Sequence, residues 1–142
     1  MILVSACLAG FNCRYDGGNK ENKEIIRLVK EGKAIPVCPE QLAGLPIPRK
    51  AVEEKASGKI YAEDGEEFTD IFIKGAEETL RIAKMYQCTK AILKSHSPSC
   101  GTNQVYDGSF SGNLKAGHGV TTKLLKENGI EVISEKDYNL EH

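Results

Sequence analysis

Three of the five cysteines stand where their thiols could reach a common site. Cys7, Cys38 and Cys100 each follow a short apolar segment that the sequence predicts to be a β-strand. Ligands of an open parallel α/β sheet bind outside the carboxyl ends of its strands. We therefore expect these three thiols to converge at one edge of the sheet. Thiolates select zinc, copper(I) or iron–sulfur clusters, so the pattern predicts a centre for a soft metal.

The spacing of the cysteines along the chain limits which type of metal centre they could form. The chain has no Cys-x-x-Cys pair, so neither a zinc ribbon nor a thioredoxin-like motif is indicated. Cys38-Pro39 slightly favours a cluster, because Cys-Pro recurs in ferredoxin-type ligation. Three protein ligands leave a coordination position open for chemistry, whereas Cys13 as a fourth ligand would close the site. Cys13 could equally be a packed loop thiol, and Cys88 is expected to fill the core.

These thiols need a scaffold of alternating strands and helices. Strands are predicted at residues 2–6, 34–37, 91–93 and 130–133, with helices around 25–29, from 72 to about 87, and around 120–125. This order predicts a single three-layer α/β domain, Rossmann-like, with a mostly parallel sheet of about four to five strands. The site is expected at the carboxyl ends of the strands.

The connecting segments carry further local predictions. Asn19 or Asn22 is expected to cap the first helix and Thr69 the second. Four prolines between residues 36 and 49 predict an irregular loop with at most one helical turn. Asp64-Gly65 predicts the turn of a small hairpin that joins residues 60–62 to Phe68. Gly117-His118-Gly119 would leave backbone N–H groups free for an anion.

Composition limits the class of protein. The 142 residues include 19 Lys and Arg against 20 Asp and Glu. Residues 140–142 resemble the start of a purification tag, so we expect one domain over residues 1–139 with no net charge. Such a chain gains little attraction to nucleic acid or an anionic membrane. It has no run of 18 apolar residues and no basic leader at its N-terminus. Together with the odd number of thiols, these features predict a cytoplasmic protein.

A series of short motifs runs in order along nearly the whole chain, from Leu3 to Glu135. They are Val4–Leu8, Arg14–Gly17, Pro36–Glu40, Gly44–Pro46, Pro48-Arg49, Leu93-Lys94, Ser97–Gly101, Tyr106–Gly108 with Phe110, and Gly117-x-Gly119-Val120. Together they resemble the motifs of the thiouracil desulfidase family. The sequence departs from the family's pattern at Ala9, where Leu is common, and at Asn12-Cys13, where no cysteine is expected.

The resemblance implies an oxygen-sensitive [4Fe-4S] cluster held by Cys7, Cys38 and Cys100. One iron would have no protein ligand and would bind the sulfur of a thiocarbonyl substrate. The resemblance also implies that Glu40 and Ser97 are the catalytic side chains. Without a catalytic role, Glu40 would brace a loop and Ser97 would stabilise a turn next to Pro98.

The residue chemistry agrees with that implication. Iron acting as a Lewis acid makes the ring carbon beside the sulfur electrophilic. Glu40 can activate water, Ser97 can relay a proton as sulfur leaves, and no electron is consumed. The remaining polar side chains of the motifs are expected to bind substrate or balance the charge of the cluster. They are Ser5, Arg14, Arg49, Lys94 and Ser99.

The preferred hypothesis is an enzyme, a non-redox desulfidase of the hydrolase or lyase type. It would convert a thiolated nucleobase such as 4-thiouracil into the oxo base and hydrogen sulfide. A small neutral chain favours a small-molecule substrate, without a membrane or nucleic-acid partner, and leaves a tRNA thionucleoside open. One alternative is a structural or interaction module whose Cys7, Cys13, Cys38 and Cys100 bind zinc. Another is a thiol enzyme with a nucleophilic cysteine beside His96. The sequence gives no indication of oligomeric state.

Overall fold

A four-stranded parallel sheet between two layers of helices forms the body of the molecule. The computed structural model describes residues 1–141, and side chains over residues 1–139; the rest of the predicted tag remnant lies outside the described residues. The strands are β1 (Ile2–Ser5), β2 (Ala34–Val37), β3 (Val52–Glu54), β4 (Ile60–Ala62), β5 (Lys90–Leu93), β6 (Gln104–Tyr106), β7 (Leu114–Ala116) and β8 (Glu131–Ser134). The α-helices are α1 (Lys23–Lys30), α2 (Pro39–Leu42), α3 (Thr69–Met85), α4 (Val120–Glu127) and α5 (Glu135–Glu141).

The sheet has the strand order β2-β1-β5-β8, with every neighbouring pair parallel. The predicted α/β class and mostly parallel sheet are therefore confirmed. From β1 the chain passes to β2 on one side, and from β2 it returns to β5 on the other side of β1. This reversal opens a crevice at the carboxyl ends of β1 and β5, where ligands of such folds bind.

Both faces of the sheet are buried because strand side chains alternate between them. Leu3, Leu93 and Val132 face a cluster that includes Ala83 of α3 and Leu125 of α4. Val4 and Ile92 face the opposite cluster, which includes Ile25 of α1. Continuous apolar runs such as Ile2-Leu3-Val4 are typical of strands covered on both sides. The three-layer arrangement follows from these two clusters.

Two of the predicted helix starts have different outcomes. Asn22 caps α1, because its Oδ1 accepts hydrogen bonds from the N–H groups of Glu24 at 3.0 Å and Ile25 at 3.3 Å. Thr69 was predicted as the cap of α3, but it is the first residue of that helix. Its Oγ1 accepts the N–H of Ile60 at 2.9 Å instead and so ties the helix to β4.

Two small antiparallel hairpins extend beyond the sheet. The strand β4 pairs with β3, which the sequence did not predict. The predicted hairpin across Asp64-Gly65 also forms: a bridge joins Tyr61 to Glu67, and the N–H of Phe68 donates to the carbonyl oxygen of Ile60 at 2.8 Å. The second hairpin, β6–β7, was also not predicted. Within residues 1–141, no helix is long and apolar enough to cross a membrane.

The chain that carries Cys38 packs directly on the backbone of α3. A Cβ atom at Gly75 of α3 would lie 2.3 Å from the carbonyl oxygen of Pro39 and 3.0 Å from its carbonyl carbon. Both atoms belong to the backbone, so they cannot rotate away as a side chain could. Gly75 therefore allows α2 to lie against α3.

Gly75→Ala is expected to destabilise the protein, although the same change in an open helix stabilises it by about 1 kcal/mol. Overpacking costs about 1–3 kcal/mol and should lower Tm by about 3–10 °C. Differential scanning calorimetry measures this shift. Lys74→Ala, at the exposed neighbouring position, is the control and should leave Tm nearly unchanged. A rise in Tm for Gly75→Ala would contradict the tight contact.

Candidate functional site

A cavity of about 380 Å³ lies at the carboxyl edge of the sheet. It is bounded by the segments after β1, β2 and β5 and by both hairpins. Of the residues predicted to form the site, the following line it: Ser5, Cys7, Arg14, Cys38, Glu40, Arg49, Lys94, Ser97 and Cys100. Cys13 lines it as well. The predicted convergence of the three strand-end thiols is therefore observed.

Cys7 lies in a short 3₁₀ turn, Ala6–Ala9, that directly follows β1. It is buried, and desolvation raises the pKa of its thiol to about 11, with a further contribution from the negative charge of Glu40. The positive charges of Lys94 and Arg14 act in the opposite direction. Without a positively charged ligand, this thiol stays protonated at neutral pH.

Cys38 follows β2 and is the residue that caps α2. Its Sγ lies 3.5 Å from Glu40 Oε2 and 3.7 Å from the carbonyl oxygen of Cys13. The interaction between the Cys38 and Cys13 thiols raises the pKa of Cys38 and lowers the pKa of Cys13. All five cysteines of the chain are free thiols.

Cys100 is buried behind the end of β5, and burial raises the pKa of its thiol. Side-chain hydrogen bonds between this thiol and Ser5 and Ser99 oppose this effect. The Ser5 Oγ also accepts the N–H of Lys94 at 2.9 Å, so it connects β1 and β5 just below the cavity. Such hydrogen bonds to a ligand sulfur stabilise its thiolate form and tune a bound cluster.

Ser99 was predicted to bind substrate, but it does not line the cavity. Its Oγ is paired with Thr121 Oγ1 at 2.8 Å and lies 3.8 Å from Cys100 Sγ. The side chain therefore supports Cys100 from behind, because the loop turns it toward α4 and away from the cavity.

The donor set fits a multi-iron cluster. Cysteines bind metals as thiolates, and ionising a buried thiol with a raised pKa is costly. A metal centre with a high positive charge offsets this cost. A single zinc ion needs all its ligands converging at about 2.0–2.3 Å from one point. Among the side chains of residues 1–139, no three His, Cys, Asp or Glu groups converge in this way. In a [4Fe-4S] cluster each cysteine binds a different iron, so its thiols surround a volume, as Cys7, Cys38 and Cys100 do here.

Glu40 is held by a buried guanidinium. Its Oε2 lies 3.3 Å from Arg49 Nη2, and the side chains of Arg49 and Glu40 are 9% and 16% exposed. The same Nη2 donates to the carbonyl oxygen of Cys13 at 2.9 Å, and Nη1 donates to Pro46 at 3.4 Å. The fork of the guanidinium thus links the carboxylate to the loop that carries Cys13. Arg49 was predicted to contact substrate or balance the cluster charge, and here it positions Glu40.

Two other predicted cations lie at the cavity. Lys94 Nζ is 3.1 Å from Ser95 Oγ and 3.9 Å from Glu135 Oε2, and burial lowers its pKa. Arg14 lies over the ring of Tyr15 and 3.8 Å from Asp16. Both side chains are about one-quarter exposed, so they remain close to the opening of the cavity.

Ser97 lines the cavity and also braces the turn before Cys100. Its Oγ accepts the N–H of Cys100 at 2.8 Å. Since the oxygen accepts this bond, its hydroxyl hydrogen remains available for donation. The turn-stabilising and proton-donating interpretations of Ser97 are thus compatible.

The N-terminus of α4 is not an anion site, which corrects the expectation for Gly117–Gly119. The N–H groups of Gly119 and Val120 donate to the carbonyl oxygens of Gly101 and Pro98 at 2.9 and 2.8 Å. A Cβ at Gly119 would lie 2.4 Å from the Ser99 carbonyl, so this glycine permits the loop to dock there. These bonds fix the backbone that carries Cys100.

The two other candidate groups lie away from the cavity. His96 does not line it and packs edge-on against Tyr106 with ring centroids 5.8 Å apart, so it is not placed as a base for a cysteine nucleophile. His118 Nδ1 accepts the N–H of Asn103 at 3.0 Å, consistent with a structural role. Cys88 packs in the core beside Ala83, as expected.

Sequence reasoning missed Glu53, a buried carboxylate of β3 that lines the cavity. Its Oε1 accepts the N–H groups of Gly108 at 3.0 Å and Phe110 at 3.1 Å. Tyr106–Gly108 was recognised as a motif, but nothing along the chain indicates that a residue 55 positions earlier contacts it. This contact joins the two hairpins over the cavity.

A family model and a solved structure indicate the same family. The model of the 2-thiouracil desulfurase family matches residues 2–137. The uncharacterized protein YbbK of Bacillus subtilis (strain 168) is 43% identical, covering 98% of this chain and 98% of its own. The solved structure of the [4Fe-4S]-dependent thiouracil desulfidase TudS superposes with a TM-score of 0.91 at 41% identity, covering 97% of this chain and 92% of that one.

Arg49→Met is expected to destabilise the protein by about 2–4 kcal/mol, because it leaves the buried Glu40 carboxylate without its partner. Urea denaturation measures this change. In the double variant Arg49→Met/Glu40→Gln, the uncompensated charge is gone. The decrease in its free energy of unfolding should therefore be at least about 1 kcal/mol smaller than the sum of the decreases in the two single variants.

Lys50→Met is the matched control for Arg49→Met. Lys50 forms exposed ion pairs with Asp64 and Glu66, and its replacement should leave the urea midpoint nearly unchanged because exposed ion pairs contribute little to stability. Equal losses for Lys50→Met and Arg49→Met would contradict the importance of the buried pair.

Proposed function

The chain belongs to the 2-thiouracil desulfurase family, and we propose that it is a [4Fe-4S]-dependent desulfidase that replaces the sulfur of a thiolated nucleobase by oxygen. The main observation that supports this proposal is that three strand-end thiols and Glu40 line one cavity. The reaction is a hydrolysis: water supplies the oxygen of the new carbonyl, and sulfur leaves as hydrogen sulfide. It consumes no electrons.

Cys7, Cys38 and Cys100 would hold the cluster. When bound, the cluster would supply a Lewis-acidic iron with no protein ligand, which polarises the thiocarbonyl. The desolvated surroundings of the three thiols support this assignment, because a cluster compensates the cost of ionising them.

Glu40 acts as the general base for water. Arg49 fixes one of its oxygens, Oε2, and so leaves Oε1 for a water molecule in the cavity. A carboxylate held in this way can accept the proton of water as it attacks the ring carbon. Ser97 donates a proton toward the departing sulfur, while its own oxygen stays fixed by the N–H of Cys100.

Cys13 does not ligate iron in this proposal. Its loop is held by the guanidinium of Arg49 and its thiol pairs with Cys38, so it supports a ligand from the side. Lys94 and Arg14 add positive charge next to Cys7, which stabilises its thiolate.

The substrate is a small molecule, a free thiolated pyrimidine such as 4-thiouracil. A cavity of about 380 Å³ holds a single base, and the chain has no excess of positive charge for a nucleic-acid backbone. An oxygen-sensitive cluster and five free thiols suit a reducing compartment, so we place the enzyme in the cytoplasm.

Anaerobic reconstitution should give about four iron and four acid-labile sulfide per chain. Cys7→Ala, Cys38→Ala and Cys100→Ala should each lose the cluster, whereas Cys13→Ala should retain it. Cys88→Ala, which removes a core thiol far from the cavity, is the control. Visible absorption with iron, sulfide and zinc analysis measures the outcome.

Stoichiometric zinc without sulfide would contradict the cluster and favour the zinc module. Loss of the cluster in Cys13→Ala would make Cys13 a fourth ligand and contradict the open coordination position.

Glu40→Gln should retain the cluster and lower kcat for 4-thiouracil by about 10²- to 10⁴-fold. The amide can still bond to Arg49 but cannot accept a proton. Loss of 4-thiouracil absorbance and release of sulfide measure turnover. Glu63→Gln, an exposed carboxylate at the rim of the cavity, is the control and should turn over at the wild-type rate. Unchanged turnover in Glu40→Gln would remove Glu40 from the mechanism.

A further inference from the structure

Glu53 is a second carboxylate of the cavity, and the reaction described above gives it no task. Its side chain belongs to β3 and the residue is 9% exposed. Gly108 and Phe110 donate their N–H groups to its Oε1. Its other oxygen, Oε2, has no hydrogen-bond partner among residues 1–139.

One oxygen of this carboxylate is paired with backbone N–H groups, whereas Oε2 is left open at the wall of the cavity, where it can accept a hydrogen bond from a bound molecule. The nearby lysines do not satisfy it. Lys55 Nζ donates to the carbonyl oxygen of Gly108 and lies 5.3 Å from the centroid of the Phe110 ring. Lys115 pairs with Glu54 at 3.4 Å. No ion pair to Glu53 is present in the described part of the chain, so Oε2 is an acceptor held ready at the cavity wall.

The other buried polar groups of the cavity are engaged by protein partners. Arg49 is divided between Glu40 and two carbonyl oxygens. Ser5 bonds to the N–H of Lys94 and to the thiol of Cys100. Among the buried carboxylates that line the cavity, two oxygens are left: Glu40 Oε1, which is assigned to water, and Glu53 Oε2.

We propose that Glu53 determines substrate specificity by accepting a hydrogen bond from the ring N–H next to the thiocarbonyl group. The proposal rests on the proposed function and refines it. Both 2-thiouracil and 4-thiouracil carry an N–H in that place. A ring nitrogen that bears a lone pair or a methyl group offers no hydrogen to the carboxylate and is rejected.

The same carboxylate also places an aromatic wall. Phe110 lines the cavity and has a φ of 56°, a left-handed conformation that is rare for a phenylalanine. Its N–H is held by Glu53. The hydrogen-bond acceptor for the edge of the base and the ring that contacts its face are therefore fixed by one side chain.

The test compares 4-thiouracil with 3-methyl-4-thiouracil on the cluster-loaded enzyme. The wild type should prefer 4-thiouracil by about 10- to 100-fold in kcat/KM. In Glu53→Gln the preference should fall to about threefold or less, mainly through KM. The amide oxygen of Gln can still accept the N–H groups of Gly108 and Phe110, so iron content and Tm should stay near wild type. Glu54→Gln, the neighbouring residue outside the cavity lining, should retain the preference.

A measurement without turnover accompanies the kinetics. Titration calorimetry of the cluster-loaded wild-type protein should detect binding of uracil, the product. The affinity for 3-methyluracil should be lower by about 10-fold or more. Glu53→Gln should reduce this difference. A merely structural role of Glu53 would lower Tm and leave the discrimination unchanged.

The outcomes separate the two proposals. If the loaded wild type converts neither 4-thiouracil nor 2-thiouracil, the proposed function is wrong. If it converts 4-thiouracil and 3-methyl-4-thiouracil equally well, or if Glu53→Gln keeps the preference, the role of Glu53 is overturned while the desulfidase function stands.

Discussion

The parallel pairing of β1 with both β2 and β5 is the constraint on which the site depends. Because β1 lies between them, the ends of these three strands lie side by side. Each end delivers one thiol, and no long loop is needed to bring them together. The Ser5 side chain reinforces this edge, since it bonds to the backbone after β5 and to the thiol of Cys100. The positions of these three cysteines are therefore a property of the sheet itself.

Two close backbone contacts convert this approximate placement into a defined one. Gly75 lets α3 touch the backbone of Pro39, next to Cys38. Gly119 does the same for α4 against Ser99, next to Cys100. A longer side chain at either place would displace the backbone next to one of these cysteines. The glycines act through packing, although neither contacts the cavity.

How well each part of the site could be predicted depended on how far apart along the chain the residues that determine it lie. Strands such as Ile2–Ser5 are local apolar runs, and the rule that places ligands at their carboxyl ends brought Cys7, Cys38 and Cys100 together. Contacts between distant segments were not accessible in this way. Thr69 satisfies a cap pattern, but its hydroxyl bonds to β4, and β3 is a strand because of its partners. Glu53 carries no local signal, since its importance arises from Gly108 and Phe110.

The cavity contains two carboxylates whose surroundings differ, and this difference assigns their tasks. Glu40 is paired with the guanidinium of Arg49 and lies beside the thiol of Cys38. Glu53 has no cation and is held by two backbone N–H groups on the opposite, hairpin side of the cavity. An acceptor in that position can recognise a donor on the edge of a bound base. Other enzymes also contain two chemically identical groups that take different roles because their environments differ. In our two proposals, the sheet edge carries the chemistry and the hairpins select the base.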